Sequence, residues 1–430
     1  MILIYRFLTN LTYPLIILII FLRKYKRKED KTRYKEKLFS KYFNVKRDHN
    51  KKLFWFHAAS VGEFKSIIPI IKELNKEQKN LEFLVTTVTL SSGNLARDVL
   101  KNFKNVQHRF FPVDVDFVIK KFLKNWKPNV IFLVDSEIWP NLIINARKYK
   151  IPMALINARI TIKSFKRWMM ILPIAKKIFK NFNLCLSSNK ETEKYLSKLN
   201  ANNIFYAGNL KLIDNNISTN KNIKSEQGGL TVKKNWCAIS THDDEEKFCL
   251  KVHLNIKNKY NDSSVIIAPR HLERVKDIKK LCEYFSLNYQ ILNKEDLIKS
   301  EADVIIINSF GNLTNFIRSS KSVFMGKSLL KKYKTSGGQN PIEAAKLGCK
   351  VYHGPYISNF NEIYEILAKN NISKKIENDK ELINFLLEDF KKQENNSLKN
   401  TLFMSDLSKK TLAQSMDHIN KFLSNEINKA

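Results

Sequence analysis

Paired cysteines and the common metal or nucleotide-binding signatures are missing from this chain of 430 residues. Its five cysteines are odd in number and scattered without paired spacing, which argues against a disulfide framework or a zinc site and favours a reducing, cytoplasmic environment. The motifs GxxxxGKS/T, HExxH and GxSxG are also absent. Their absence argues against P-loop NTPases, zincins and α/β-hydrolases.

Acidic residues are few relative to basic ones, since 41 Asp and Glu oppose 75 Lys and Arg and give a formal charge of +34. Such a field attracts anionic surfaces such as lipid headgroups or nucleic acid. No zinc-ligand spacing, helix-turn-helix pattern or aromatic RNA-binding signature accompanies the charge, so nucleic acid is not an expected partner. An anionic membrane surface is the expected partner, and the alternative is that many lysines only solvate the surface.

The amino terminus differs from the rest, because the stretch from Met1 to Leu22 carries a single charge, Arg6. A full membrane span needs roughly 20 apolar residues. No small-residue cleavage site follows, and the basic run from Arg23 to Lys28 is typical of the cytoplasmic side of an anchor. The sequence therefore predicts an uncleaved membrane-anchor helix over residues 1–24, with the remaining chain on the cytoplasmic face.

Short apolar runs alternate with helical patterns from Leu53 onward, which is typical of parallel sheets covered by helices. The predicted strands are Leu53–Phe56, Phe83–Val88, Val130–Val134, Met153–Ile156, Leu184–Ser187, Trp236–Ile239, Val265–Ala268, Tyr289–Leu292, Val304–Ile307, Val323–Met325 and Val351–His353. They predict an α/β fold of two doubly wound, Rossmann-like domains at residues 25–215 and 235–405, joined by a linker at 216–234 and followed by a helix at 406–430 that packs back on the first domain. Ligands are expected at the carboxyl ends of the strands, in a central cleft between the domains.

In the first half, acidic and basic side chains follow the predicted strands. Glu63 falls in the first turn of a helix, where a carboxylate either serves chemistry or only complements free backbone amides. Glu137 follows the strand ending at Val134 and is expected to share a site with Glu63. Arg159 ends the next strand, so the edge combines acids and bases and suits an anionic substrate.

In the second half, Ser240 and Thr241 precede a helix, where hydroxyls and free amides form either an anion cradle or a plain N-cap. Arg270, next to His271, is placed to grip a phosphate. The Gly-Gly turn at Gly338 opens another helix, and the following segment suits one edge of a nucleotide through Asn340 and Glu343. These residues indicate a nucleotide-dependent transferase.

Taken in order, these motifs resemble the Kdo transferases, membrane-associated glycosyltransferases that move 3-deoxy-D-manno-octulosonic acid (Kdo) from CMP-Kdo to a lipid A precursor. The resemblance extends from the amino terminus to about residue 365. It is carried by His57–Glu63, Ser136–Ile143, Asn157–Arg159, Gly208–Lys211, Ser240–His242, Pro269–His271, Glu273–Arg274, Ser328–Leu329, Gly337–Glu343, Gly354–Pro355 and Asn359–Phe360. Each motif is weak alone, and together they are specific.

The resemblance implies a GT-B fold, inversion at the anomeric carbon, no required metal or cofactor, and a place at the cytoplasmic (inner) membrane in lipopolysaccharide synthesis. It also implies that Glu63 is the general base, supported on the acceptor side or in the transition state by Ser60, Glu137 and Arg159. CMP-Kdo is then the donor substrate and the lipid A precursor is the acceptor. The implied donor-binding residues are Lys211, Ser240, Thr241, Arg270, His271, Ser328, Gly338, Asn340 and Glu343.

The chain departs from the family pattern at three places. Gln339 stands where the family has the histidine of GGHN, and Ile160, Thr161 and Lys163 alter an NARLSxRS stretch. Asn308 and Asn312 replace the two acids of a DTxGEL segment. Because none of these changes alters Glu63, Arg270 or Glu343, activity is expected to be retained, with donor affinity the property most affected.

Two further functions are compatible with the same residues. One is a GT-B enzyme that transfers a sugar from a UDP-sugar to a lipid, which would share the two domains, the second-half glycine turn and the basic surface. The other is a catalytically inactive, membrane-docked relative that kept the fold. The segment from His57 to Glu63 argues against the first, and the retention of Glu63 and Arg270 argues against the second.

Overall fold

The computed structural model describes residues 2–77, 80–213, 234–293, 296, 298, 301–309, 313–391 and 397–427. The chain forms two compact units: unit 1 comprises residues 1–217 and 407–430, and unit 2 comprises residues 218–406. The linker predicted at residues 216–234 lies outside the described residues, except for Lys234.

Unit 1 is built on a seven-stranded sheet with parallel pairings and the strand order β3-β2-β1-β4-β5-β6-β7. Its strands are β1 (Lys52–His57), β2 (Leu81–Thr87), β3 (Val106–Phe110), β4 (Val130–Val134), β5 (Met153–Ala158), β6 (Leu184–Ser187) and β7 (Ile204–Tyr206). After the two amino-terminal helices, its helices are Val61–Glu77, Leu90–Leu100, Asp116–Trp126, Pro140–Lys148, Ile162–Met170, Leu172–Phe179 and Lys190–Lys198, with short 3-10 turns at Arg33–Lys37, Ser40–Tyr42 and Leu210–Leu212.

Both faces of this sheet are buried. Along β1, Phe54 and Phe56 belong to one apolar cluster, while Leu53 and Trp55 belong to another. Alternate side chains of a strand point to opposite faces, so a strand covered by helices on both faces is apolar along its whole length. The near-continuous apolar runs in the sequence follow from this arrangement.

Unit 2 is built on a second seven-stranded sheet with parallel pairings, in the order β10-β11-β9-β8-β12-β13-β14. Its strands are β8 (Lys234–Thr241), β9 (Ser263–Pro269), β10 (Tyr289–Leu292), β11 (Val304–Ile307), β12 (Ser322–Met325), β13 (Lys350–His353) and β14 (Ser373–Lys375). Its helices are Glu245–Lys257, Val275–Tyr284, Leu313–Ser319, Ile342–Lys346, Asn361–Lys369 and Asp379–Lys391, with 3-10 turns at Leu272–Arg274 and Lys331–Tyr333. The prediction of two parallel α/β domains is confirmed.

The carboxyl terminus forms a helix, Ser397–Ile427, which begins before the predicted start at residue 406. Its residues from Leu407 onward belong to unit 1. Met416, Ile419 and Phe422 are buried in the same cluster as Phe54 and Phe56. The last turns of the chain therefore complete the core of the first unit.

The amino terminus does not form the single helix that the sequence predicted. Two helices, Ile2–Leu11 and Tyr13–Tyr25, are bent by 52° relative to one another. Pro14 lies in the first turn of the second helix, where its missing N–H is tolerated, and it favours a new helix start over continuation. Within the described part of the chain no one helix has the length and apolarity to cross a membrane, whereas this bent pair taken together does.

Candidate active site

The two carboxylates singled out in the first half meet where the strand order of unit 1 reverses. β1 lies between β2 and β4, so the loops that leave β1 and β4 diverge and form a crevice at the carboxyl ends of these strands. The loop after β1 carries Glu63, and the loop after β4 carries Asp135 and Glu137. The interpretation that Glu63 and Glu137 are near one another agrees with this topology and with the electrostatic coupling described next.

Glu63 is half-buried in the first turn of the helix Val61–Glu77. The backbone N–H of Ala59 donates to its Oε2 at 2.7 Å, and the hydroxyl of Ser60 donates to its Oε1 at 2.7 Å. Burial raises the pKa of Glu63, and the charges of Asp135 and Glu137 raise it further against the lowering by these two hydrogen bonds. Since a carboxylate has about four acceptor positions, these contacts leave room for a substrate proton.

The surroundings of Glu63 are compatible with both alternatives that the sequence left open. Its carboxylate complements free groups at a helix start, and its pKa is shifted towards that of a stronger base by burial and by like charges. Shifts of this kind are typical of residues that exchange protons with a substrate.

Lys211 belongs to this site by its position in the fold. Its Nζ lies 3.0 Å from Oδ2 of Asp135, and its Cε would lie 3.8 Å from a Cβ at Gly62. The resemblance had placed Lys211 among the donor-binding residues, but all the others in that group lie in unit 2. The structure places Lys211 beside Asp135 in unit 1, where Asn157 at the end of β5 accepts the N–H of Leu210 at 2.9 Å and holds this segment in place.

Arg159 reaches the same edge through its backbone. The hydroxyl of Ser136 lies 2.7 Å from the carbonyl oxygen of Arg159 and 3.1 Å from Oδ1 of Asp135, and the N–H of Arg159 donates to the Asp135 carbonyl at 3.2 Å. The loops after β4 and β5 are thus fastened together. This brings Ser60, Glu63, Glu137, Arg159 and Lys211 to one edge of the unit 1 sheet.

His57 is a site component to which the sequence gave no role. Its ring is completely buried and stacks on Phe111 at 3.8 Å, with Nε2 lying 2.9 Å from Oε2 of Glu137 and Nδ1 lying 3.0 Å from Oγ1 of Thr86. The indole N–H of Trp139 donates to the same oxygen of Glu137 at 2.8 Å. Nδ1 also lies 3.2 Å from the carbonyl oxygen of Thr86. Glu137 is thereby held in a fixed orientation.

Unit 2 has a corresponding crevice, because its strand order reverses where β8 lies between β9 and β12. Glu245 lies at the start of the helix that follows β8 and is completely buried. Its carboxylate accepts the backbone N–H groups of Lys327 at 2.7 Å, Ser328 at 2.9 Å and Leu329 at 3.1 Å, and that of His242 at 3.1 Å. This one side chain fixes the loop after β12 against the loop after β8.

The sequence showed Glu245 only as an acid in a first helical turn. Three of its four partners lie more than 80 residues away along the chain, so no local pattern indicated its role. Lys327 was also missed.

Burial lowers the pKa of His242, and the positive charges of Lys327, His271 and Arg270 lower it further, against the raising effect of the Ser240 carbonyl. Positive charge is therefore concentrated at this edge, which suits an anionic ligand.

The predicted donor-binding residues around β8 and β9 lie at this crevice. Ser240 has a φ of 55°, and its carbonyl lies 3.0 Å from Nδ1 of His242. Thr241 is buried, and its carbonyl accepts the N–H of Arg270 at 3.0 Å. Arg270 and His271 are exposed at the end of β9. Gly326 packs so closely that a Cβ there would lie 2.4 Å from the Ser240 oxygen.

Ser328 and the Gly-Gly turn form the other wall. The hydroxyl of Ser328 donates to the Met325 carbonyl at 2.6 Å and accepts the N–H of Gly354 at 2.9 Å, so its visible contacts are structural. Gly338 has a φ of 84°, and its N–H donates to the Lys327 carbonyl at 2.7 Å. The turn is thus tied to the loop after β12.

Asn340 and Glu343 lie at the start of the short helix Ile342–Lys346 and are both exposed. Oδ1 of Asn340 accepts the N–H of Ile342 at 3.1 Å, while Oε1 of Glu343 accepts the hydroxyl of Thr314 at 2.7 Å. Of the two amides that replace family acids, Asn308 donates to Oδ1 of Asn293 at 2.9 Å. Asn312 lies outside the described residues.

Two parallel α/β units, each with polar loops at its strand-order reversal, are the architecture of the GT-B fold. A glycosyltransferase from Rickettsia africae has a similar structure, with a TM-score of 0.58 at 12% identity over 88% of this chain and 100% of that one. This likeness shows the fold, which is of the GT-B type.

Sequence comparisons identify the family. Residues 32–213 match the model of the 3-deoxy-D-manno-octulosonic-acid transferase (kdotransferase) family. The 3-deoxy-D-manno-octulosonic acid transferase of Rickettsia prowazekii is 32% identical over 391 residues, which are 88% of this chain and 82% of that protein. The one from Rickettsia bellii is 31% identical, covering 97% of this chain and 99% of that protein. The chain belongs to this family and is a glycosyltransferase.

Proposed function

We propose that the protein transfers Kdo from CMP-Kdo to a lipid A precursor, with inversion at the anomeric carbon, in the synthesis of lipopolysaccharide. Relatives named as 3-deoxy-D-manno-octulosonic acid transferases over most of this chain support the reaction. The observation that carries the assignment within the structure is the half-buried Glu63 carboxylate beside Asp135 and Glu137, whose environment raises its pKa.

In the proposed reaction, unit 1 binds the acceptor and supplies the base. A hydroxyl oxygen of the acceptor attacks the anomeric carbon of Kdo as its proton passes to Glu63. The bond from that carbon to the CMP phosphate oxygen breaks, and CMP leaves with the bonding electron pair. Burial raises the pKa of Glu63, and the charges of Asp135 and of Glu137, which is fixed by His57 and Trp139, raise it further. Ser60 orients the Glu63 carboxylate, Arg159 provides positive charge for an anionic acceptor, and Lys211 provides positive charge for the donor.

Unit 2 binds the donor in this proposal. Arg270, His271 and Lys327 supply positive charge to the donor phosphate and carboxylate, and stabilising the leaving phosphate with fixed charge accelerates the step. Ser240 and Thr241 lie at the same crevice. In this proposal, the exposed Asn340 and Glu343 bind the cytidine ribose next to the turn at Gly338. Ser328 contributes by holding its loop in place. We propose that neither a metal ion nor a cofactor takes part.

We further propose that the amino-terminal helix pair attaches the protein to the cytoplasmic face of the inner membrane. Eleven large hydrophobic side chains are exposed on this pair, from Leu3 to Tyr25. The segment that follows is basic, and each basic residue near an anionic membrane contributes about 1 kcal/mol of attraction. Apolar contacts and positive charge thus both favour binding to the same membrane surface.

The proposal is tested by incubating detergent-solubilised protein with freshly generated CMP-Kdo and a tetraacylated lipid A precursor, and weighing the lipid product by mass spectrometry. Parallel reactions contain UDP-sugars or EDTA. A product heavier by one or more Kdo units, formed with CMP-Kdo alone and unchanged by EDTA, is the expected result, and its mass counts the sugars. Transfer from a UDP-sugar instead, or no transfer by folded protein, overturns the assignment.

A further inference from the structure

A cavity of about 430 Å³ lies in unit 1, between the amino-terminal helix pair and the body of the domain. Pockets that bind small molecules enclose roughly 300 to 1,000 Å³. Ile16 and Ile20 of the second helix form one wall, and Val88, Val113 and Val115 are among the residues on the opposite side. Aliphatic side chains therefore contribute to both walls of the cavity.

The cavity depends on the way the first helix is attached. The hydroxyl of Tyr5 donates to Oδ2 of Asp114 at 3.0 Å, the side-chain amide of Asn141 donates to the hydroxyl of Thr9 at 3.1 Å, and Arg6 lies 3.2 Å from Asp116. Three polar contacts thus fix this helix against Asp114 and the starts of the helices Asp116–Trp126 and Pro140–Lys148. The pair is held as a cover with space beneath it.

One end of the cavity reaches the candidate active site. Trp139 and Phe111 line it, and these are the side chains that donate to Glu137 and stack on His57. A ligand that fills the cavity therefore touches the two aromatic rings behind the acidic site. The residues that line the cavity are enough to connect it to the candidate active site.

The charged side chains in the wall are already paired with protein groups. Arg23 and Lys37 both contact the carboxylate of Glu29, and Asp114 accepts the backbone N–H groups of Asn141 and Leu142 in addition to Tyr5. Charged side chains that are already paired gain little binding free energy from an anionic headgroup. The aliphatic side chains of the lining, in contrast, bind a hydrocarbon chain favourably. The lining favours an apolar chain over a phosphate.

The outer face of the same helix is apolar as well. Leu15, Leu18, Ile19 and Leu22 are each about half exposed. If a lipid layer contacts this face, a hydrocarbon chain can leave the layer and enter the cavity by passing the edge of one helix.

We propose that this cavity holds one acyl chain of the lipid acceptor and so places the sugar of that lipid at Glu63. The inference rests on the proposed function for the identity of the acceptor. It adds a subsite at which affinity depends on the length of the acyl chain. Each methylene group that enters is expected to strengthen binding about fourfold for water-soluble, short-chain acceptors, until the cavity is full.

The test uses two isoleucines of one helix. Ile16→Trp narrows the cavity, and Ile19→Trp, the matched control, adds the same bulk at an exposed position. The probe is a tetraacylated glucosamine disaccharide bisphosphate that carries a diazirine on one acyl chain. After illumination, the crosslinked peptides are identified by mass spectrometry. Crosslinks at the segments around Ile16, Val113 and Trp139 are expected in the native protein and in Ile19→Trp, and a loss of at least tenfold is expected in Ile16→Trp.

Transfer assays separate this proposal from the proposed function. For the acylated acceptor, Ile16→Trp should raise KM at least tenfold, while transfer to a deacylated, water-soluble acceptor should stay within twofold and show that the variant is folded. Crosslinks confined to the exposed face, or an unchanged KM for the acylated acceptor, overturn the acyl-chain subsite. If the native protein transfers Kdo to neither acceptor, the proposed function fails, and the crosslinks still decide whether a chain enters the cavity.

Discussion

Nε2 of His57 lies 2.9 Å from Oε2 of Glu137, and the imidazole is completely buried. Because Glu137 helps to raise the pKa of Glu63, a histidine that the substrate need not touch controls the orientation of a charge next to the proposed base. This pairing connects a buried residue of the unit 1 core to the proposed catalytic site.

The first prediction concerns His57→Phe, which keeps an aromatic ring against Phe111 and removes both ring nitrogens. Glu137 and Thr86 each lose a buried partner, so the free energy of unfolding should fall by about 1 to 3 kcal/mol in urea titrations. The rate of transfer should fall roughly tenfold with the KM of the donor unchanged. His418→Phe is the control, because His418 also stacks on an aromatic ring, that of Phe205 at 4.2 Å. Equal losses in both variants would remove the special role of His57.

The second prediction concerns the pH dependence of transfer. A general base acts when deprotonated, so kcat/KM should rise with pH through the pKa of Glu63, which burial and neighbouring acids raise. Asp135→Asn removes a negative charge and should move this acid limb to lower pH. Asparagine tolerates the left-handed backbone at this position, where φ is 61°. Asp98→Asn, at an exposed surface pair, should leave the limb in place, and an unmoved limb in Asp135→Asn contradicts the assignment.

The third prediction concerns Glu245, the buried carboxylate that accepts three N–H groups of the loop after β12. Glu245→Ala leaves these donors unpaired and should cost about 3 kcal/mol or more of stability in unit 2. Calorimetric titration with CMP should show loss of binding in protein that remains folded. Glu245→Gln, which keeps one acceptor oxygen, should lie between native and Ala, and the exposed Glu365→Ala should change stability by less than about 0.5 kcal/mol. CMP binding that survives in folded Glu245→Ala contradicts this role.

The fourth prediction concerns Asp114, which holds Tyr5 of the first helix. Burial raises the pKa of Asp114 to about 6, against hydrogen bonds that lower it. The unfolded value is about 3.9, so between pH 4 and pH 6 the unfolded chain binds fewer protons than the folded one, and stability should fall by about 2 to 3 kcal/mol as pH rises. Asp114→Asn should lack this part of the slope in urea titrations at pH 4, 5, 6 and 7. Parallel curves for both proteins would contradict the pKa shift.

Most of the sheet framework could be predicted from the sequence, because strands buried on both faces are continuously apolar. All eleven predicted strands are present, with ends shifted by at most two residues. The strands that were missed are β3, β7 and β14, which lie at sheet edges. Edge strands need apolar residues on fewer positions, as in β3, where His108 and Arg109 interrupt the run. Their polar composition resembles that of loops.

The candidate site was predictable only where its signal is local. Glu63 was found because a glycine turn and a helix start are adjacent to it in sequence. The pairing of Lys211 with Asp135 and that of Glu245 with Lys327 join residues 76 and 82 positions apart. Such contacts arise from the strand order, which alternation of strands and helices does not specify. The bend at Thr12 was likewise missed, since apolarity alone does not report a helix break.

The most direct test of the account is the rate of Kdo transfer by Glu63→Gln, compared with the native protein under saturating CMP-Kdo and acceptor. Glutamine keeps the size of the side chain and one of its two acceptor oxygens but cannot accept the proton, and general bases contribute about 10² to 10⁴ in rate. The account predicts a loss of roughly a thousandfold, with CMP affinity and thermal unfolding unchanged. A Glu63→Gln protein that transfers Kdo within tenfold of the native rate would contradict the central claim that Glu63 is the base.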